Sequence, residues 1–270
     1  MVRQIWRYPV KSMLGERLEE ATVTTGGIEG DRGWALRSTE TGNVLSAKKW
    51  ARLLDFRSSY AEAPAGDVRV FLPGGMSVLA SDAGASQAIS EALGTPVLLE
   101  RAAEGVKSKA DIDPATVFGE VPIENIFPTY TRETMPPVFR LPTGTFFDSA
   151  AVHVLASGTL EHMRALCGEA TVIDTRRFRP NIYVETAPGA AGFVEDEWEE
   201  GVLLAGEAVR IVDMHPALRC VMTTLPQGGL PRDPAVLRAA AKNHDVNVGV
   251  FASVGSPGRV RVGDPVFLES

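Results

Sequence analysis

The apolar residues of the first hundred positions fall in short runs, spaced for strands and broken by turn clusters. Such runs predict strands at 2–8, 18–25, 33–38, 52–60, 68–72 and 97–100, with "TTGGIEGDRG" and "LPGG" as turns between them. The segment "SDAGASQAISEALG" predicts one helix, opened by Ser81 or Asp82 and stopped by Gly94. Across 101–148 the periodicity fades and prolines accumulate, which predicts an irregular connector and a domain boundary. Beyond it, strands are predicted at 151–156, 181–186, 202–205, 207–214, 219–225, 247–254, 259–262 and 265–268. Leu160, Met163 and Leu166 have helical spacing, so a helix is expected at about 158–167, with Ser157 or Gly158 near its cap. A second helix is expected in "DPAVLRAAAKNH", with Asp233 as N-cap and Pro234 at the first helical position.

Many short, closely spaced strands with a few helices predict a mainly β chain with some α structure, an α+β chain folded as a closed or nearly closed β-barrel. Strand–helix alternation is too irregular for a doubly wound sheet, and no G-x-G-x-x-G, P-loop or internal repeat is present. The expected division is 1–100, a connector at 101–148, and 149–270.

Charge and composition narrow the function. The net charge of −7 argues against a nucleic-acid binder. No apolar run is long enough for a membrane helix, and the first twenty residues carry spread charges without an apolar segment, so a cytoplasmic protein is expected. Cations nevertheless gather at Arg3, Arg7 and Lys11, at Arg32, and at Arg176, Arg177 and Arg179. Local basic knots in an acidic chain suit a small anion, although for any one of these residues solvated surface charge is the better reading.

Two cysteines rule out a disulfide framework and any four-cysteine zinc or iron–sulfur site. The histidines at 153, 162, 215 and 244 lack zinc-site spacing, and no G-x-S-x-G is present. His162 is expected at the surface, His215 in a loop-fixing role near Cys220, and Cys167 as a packed thiol at a helix end. Cys220, in "ALRCVMTT", is the more informative residue, because a thiol beside cations can be a nucleophile, a sulfur carrier or a soft-metal ligand. Taken alone, it reads equally well as inert core.

Motifs in order carry the next step. "RFRPNIYV", a W…G segment, "RCVMTTLP", "DP…L" and "GRVRVGDPVFL" resemble the molybdenum cofactor sulfurase C-terminal (MOSC) domain family. "IWRYPVKSMLGERLEEATVTTGGIEGDRGWAL" resembles the β-barrel domain that precedes it in two-domain members, the group that includes the mitochondrial amidoxime reducing component and bacterial relatives. The likeness covers about 1–60 and 150–270 and is weak across 61–148.

The resemblance implies two β-barrel-like domains, an N-terminal MOSC β-barrel and a C-terminal MOSC barrel, and a molybdenum–molybdopterin cofactor between them, with Cys220 as the protein's ligand to molybdenum and the catalytic residue. It implies cofactor contacts at Lys11, Ser12, Arg32, Ser157, Arg179, Asn181 and Arg219. At Ser157 the match departs, since Ala156 stands where the family has a second polar residue. Leu218 stands where some members carry serine, which leaves only its backbone for that contact. The expected activity is reductive removal of oxygen from small N-hydroxylated or N-oxide-type substrates. Electrons would come from a separate electron-transfer protein, because two cysteines cannot hold the iron–sulfur cluster that some relatives append. The connector is expected to form part of the substrate wall. The rival expectations are a sulfur carrier with a persulfide on Cys220, and a cofactor-binding protein without turnover.

Overall fold

The computed structural model describes residues 1–62 and 66–269. The chain is mainly β, and four α-helices occur among the described residues. Its largest sheet has eight strands in the spatial order Val266–Glu269, Val202–Ala205, Val209–Leu218, Asn247–Ser256, Val152–Ala156, Ile182–Val184, Val2–Arg7 and Glu16–Leu18. Neighbours in it are antiparallel except Val152–Ala156 and Ile182–Val184.

The first strand of the chain therefore lies in the sheet of the second half. Ile5 sits opposite Ile182 on one side and Leu18 on the other. A second seam pairs Gly258–Arg261 with Glu20–Thr24. One apolar core follows from this interleaving, with Val2, Ile5, Val23 and Ile28 packed among Val152, Ile182, Ile211, Val250 and Val260. The expected boundaries at 100 and 149 thus do not separate independent sheets.

A second core lies under the rest of the first half. It joins Val10, Met13, Leu36, Leu53, Phe56, Val68 and Ile89 to Val221, Met222 and Leu225 from the far end of the chain. The stretch just after Cys220 is thereby anchored in the N-terminal half. A third core packs helices Ser157–Cys167 and Ala235–His244 over Leu155, Phe178 and Val248. Cys167 is a half-buried thiol against that core. No helix among the described residues is long and apolar enough to cross a membrane.

Several expected elements differ. The predicted strand 52–60 divides into a 3-10 turn, Ala51–Asp55, and a strand, Arg57–Tyr60. Leu53 and Leu54 are consecutive and both buried, which a strand with one solvent face cannot accommodate. The predicted strand 219–225 is a 3-10 turn, Val221–Thr224, with Cys220 as its N-cap residue in extended conformation. All four turn residues are buried, and the threonine hydroxyls donate back along it, Thr223 to the Cys220 carbonyl at 3.0 Å and Thr224 to the Val221 carbonyl at 2.7 Å. The predicted strand 207–214 continues to Leu218.

Helix Ala85–Leu93 begins after Gly84, with neither Ser81 nor Asp82 as its cap. Asp82 instead accepts from the Leu79 amide at 2.8 Å. Gly94 ends the helix in the left-handed conformation, as expected. Asp233 accepts from the Ala235 amide at 2.9 Å, and Pro234 already has helical dihedrals. The connector contains two paired strands, Lys109–Asp111 and Val138–Arg140, and Ala110 bridges to Val44 of the N-terminal half.

Gly249 has φ +80°, and a Cβ there would meet His153 Nε2 at 2.6 Å and the Val154 carbonyl oxygen at 2.7 Å. Gly249→Ala is expected to cost roughly 2–4 kcal/mol in urea unfolding. Gly84→Ala, with nothing within 4 Å of the new carbon, should stay within about 0.5 kcal/mol of the parent.

Candidate cofactor and active site

A cavity of about 270 Å³ opens where the two halves meet. Seven of the eight residues expected at the site line it: Lys11, Ser12, Arg32, Arg179, Asn181, Arg219 and Cys220. They come from four separated stretches of chain, and no span between them brings them together by length alone. Ser157 is not among the lining residues. Its hydroxyl pairs with the Thr186 hydroxyl at 3.0 Å and accepts from the Thr186 amide, beside a different cleft that includes Arg3 and Glu161. His215 is exposed and also lies outside the cavity lining.

Backbone geometry aims three of these side chains. Ser12, Arg32 and Arg179 have φ of +66°, +46° and +56°, the left-handed region that non-glycine residues seldom occupy. Arg179 ends the short helix Thr175–Phe178, whose Arg177 is fully buried and donates to three carbonyls. Ser12 Oγ accepts from the Ala47 amide at 3.0 Å. Arg219 and Cys220 line the same cavity, although adjacent side chains on a regular strand would diverge. The strand stops at Leu218, and Cys220 leads into the 3-10 turn.

The cavity is strongly cationic. Lys11, Arg32, Lys48, Arg179 and Arg219 line it, against Asp148 as the one carboxylate among the described lining residues. Arg32 pairs with buried Asp31. Asp31 also accepts from the Tyr8 amide at 2.7 Å and from Asn181 Nδ2 at 2.9 Å. The Asn181 Oδ1 accepts from the His153 amide at 3.1 Å and from Arg32 at 3.3 Å. Asn181 therefore locks Arg32, Asp31 and the strand beginning at Val152 into one arrangement.

The Tyr8 ring meets two guanidinium groups, Arg179 at 4.1 Å and Arg32 at 4.6 Å from its centroid. Arg179 also donates to the Met13 carbonyl at 2.8 Å. Arg219 donates to the Phe178 carbonyl at 2.5 Å and lies 3.4 Å from His153 Nε2, while its Nε is buried with no partner.

Burial dominates the titration of these groups. It pushes Lys11 down to about 8 against the opposing pull of Asp148, and it pushes Arg179 and Arg219 down to about 10. It raises Tyr8 to about 12. Burial and then the Arg219 charge hold His153 well below its usual value, which keeps it neutral. Burial alone would raise Asp148, yet Lys11 and Lys48 hold it well below the usual carboxylate range. Lys48 loses to burial but gains more from Asp148 and Cys220, so it is raised.

Lys48, Asp148, Ser149 and His153 are the polar lining residues that sequence reasoning missed as site residues. Lys48 stands in "SAKKW" and Asp148 in "FFDS", neither of which has a chemical signature of its own. Their role emerges only from contact, since Lys48 Nζ lies 2.9 Å from Asp148 Oδ2 and Lys11 pairs with Oδ1. Apolar residues of the connector line the cavity too, among them Ile112, Val117, Phe118, Met135 and Phe139, and the Phe139 ring lies against Lys48.

This donor set fits an anionic, sulfur-bearing metal cofactor. Five cations face one carboxylate, a buried guanidinium nitrogen lacks an acceptor, and a half-buried free thiol adjoins them. Among the described residues no group of three or more His, Cys, Asp or Glu side chains could hold a bare metal ion. A metal at Cys220 would depend on further ligands carried by the cofactor itself.

Fold and site together define a two-part β protein with a cofactor-type cavity at the junction. Residues 142–267 match the MOSC domain, and residues 1–103 match the MOSC N-terminal beta barrel domain. The chain belongs to the MOSC-domain family, in the group that carries the N-terminal barrel. It is similar to mitochondrial amidoxime-reducing component 1 of Mus musculus, at 26% identity over 99% of this chain and 82% of the relative. It is also similar to mitochondrial amidoxime reducing component 2 of Bos taurus, at 25% identity over 98% and 82%. A solved structure, the YUAD protein from Bacillus subtilis, aligns at 11% identity and a TM-score of 0.48 over 100% of this chain and 94% of that one.

The lowered Lys11 sets a pH dependence. Its folded value of about 8 lies below its ordinary 10.5, so the unfolded chain binds more protons between those values. Stability is expected to rise with pH from about 8 toward 10.5, and Lys11→Met should flatten that rise in urea titrations run across the window. Asn181→Leu leaves Asp31 and the His153 amide short of partners, and a loss of roughly 2–4 kcal/mol is expected in the same assay.

Proposed function

We propose that this chain is a molybdenum-cofactor-dependent oxidoreductase that removes oxygen from small N-hydroxylated or N-oxide-type substrates. The observation that carries the reading is the meeting of a single half-buried thiol and five cations in one cavity at the junction of the two halves. The amidoxime-reducing relatives supply the substrate class. When bound, the cofactor supplies a two-electron centre able to take up the substrate oxygen.

The chain's own residues would bind and orient that group. Cys220 offers a thiolate, a soft ligand suited to molybdenum, in a turn fixed by Thr223 and Thr224. Lys11, Arg32 and Arg179 present donors for a phosphate, and Ser12 adds a hydroxyl beside them. Arg219 adds a guanidinium whose Nε is free to donate. Asn181 acts through its neighbours, because its amide is engaged by Asp31, Arg32 and His153. The connector's phenylalanines would give an organic substrate apolar surface to pack on inside the cavity. His153, held neutral, adds no further charge beside Arg219.

Electrons would arrive from a separate electron-transfer protein. The test is metal analysis of protein produced in a host that makes the cofactor. The parent is expected to carry close to one molybdenum per chain and to reduce an amidoxime when given an artificial reductant. Cys220→Ser should lose activity by at least about a hundredfold. Metal-free parent protein with labile sulfur on Cys220 would replace this reading with sulfur transfer. Molybdenum without turnover on a panel of N-hydroxylated compounds would leave a binding protein.

A further inference from the structure

Two lysines in the cavity share one counter-charge. Lys11 Nζ pairs with Asp148 Oδ1 and donates to the Phe146 carbonyl at 2.8 Å. Lys48 Nζ lies 2.9 Å from Asp148 Oδ2 and 4.1 Å from the centroid of the Phe139 ring. The side chains of Lys11 and Lys48 are only 4% and 13% exposed, whereas that of Asp148 is 33% exposed.

Two ammonium groups enclosed side by side repel each other and have lost most of their water, so an anion must stand between them. The other lining cations have partners elsewhere: Arg32 has Asp31, Arg179 has the Met13 carbonyl and the Tyr8 face, and Arg219 has the Phe178 carbonyl. Asp148 is thus committed to this pair, and it sits where a small oxyanion between two lysines would sit. Its placement on the short stretch between Phe146 and the strand Val152–Ala156 also matters. The residues 148–151 belong to no helix or strand, so the carboxylate can move without breaking a sheet.

We propose that Lys48 joins Lys11 in holding a phosphate-type oxyanion, and that Asp148 is the internal counter-anion of this pair, exchanged for the ligand's anionic group on loading. The proposal deepens the function above and rests on it only for the identity of the ligand, whose phosphate would be the incoming group. The carboxylate keeps the empty cavity tolerable to fold, at the expense of affinity, because carboxylate and phosphate compete for the same two ammonium groups. Lys48 becomes a binding residue by this account, and Asp148 a residue that tunes binding without serving it.

The test uses the full-length chain freed of cofactor, with inorganic phosphate as the probe in isothermal titration. Asp148→Asn keeps the shape and removes the charge, and it is expected to bind phosphate about tenfold or more tightly than the parent. Lys48→Met should weaken binding about tenfold. Hydrogen exchange of the parent gives a second readout that needs no variant. Adding phosphate should speed exchange of amides in 146–150 as Asp148 is released, and slow it around Lys11 and Ser12. Equal or weaker phosphate binding by a folded Asp148→Asn, or exchange in 146–150 that phosphate slows or leaves unchanged, overturns the proposal. Because neither measurement involves molybdenum or turnover, failure of the reductase reading would appear separately, as a metal-free or inactive parent protein.

Discussion

Enclosing five cations in a protein interior is the constraint on which the architecture turns. Each buried ammonium or guanidinium group has lost water that only a fixed acceptor, carboxylate or aromatic face can replace. The fold provides these from distant parts of the chain. Asp31 pairs with Arg32, the Tyr8 ring meets both Arg32 and Arg179, the Met13 carbonyl takes Arg179, and the Phe178 carbonyl takes Arg219. Those acceptors are in reach because the first strand, Val2–Arg7, runs beside Ile182–Val184 in the sheet of the second half. The interleaving of the two halves and the charge of the cavity are therefore one fact seen at two scales.

The same arrangement accounts for the thiol. Val221, Met222 and Leu225 are set in the apolar core of the N-terminal half, while Leu218 and the strand before it belong to the sheet of the other. Cys220 stands at the crossing from one to the other. Its backbone is held by the Val221 amide donating to the Val117 carbonyl at 2.7 Å and by the Thr223 hydroxyl on its own carbonyl. A sulfur so placed can meet a ligand gripped by cations from both halves without a large motion of either.

Much of this was legible in the sequence. The mainly β character and the helices near 85, 157 and 235 followed from residue pattern, and the gathering of Lys11, Arg32, Arg179, Arg219 and Cys220 from the family resemblance that the ordered motifs carry. What escaped had a physical reason in each case. The threonines of "CVMTT" look like strand formers, yet their hydroxyls bond back to the backbone and wind a turn. Ser157 looked like a site residue, but Thr186 claims its hydroxyl. Lys48 and Asp148 are ordinary surface residue types, and only tertiary contact makes them an ion pair in the cavity lining. The share of the first strand in the second sheet leaves no mark in local periodicity.

The central claim is that the Cys220 sulfur reaches the metal of a cofactor held by the surrounding cations. X-ray absorption at the molybdenum edge counts sulfur neighbours directly. The account predicts one more sulfur around molybdenum in the parent protein than in a Cys220→Ser variant that retains the cofactor. An identical sulfur count in the two proteins would contradict it.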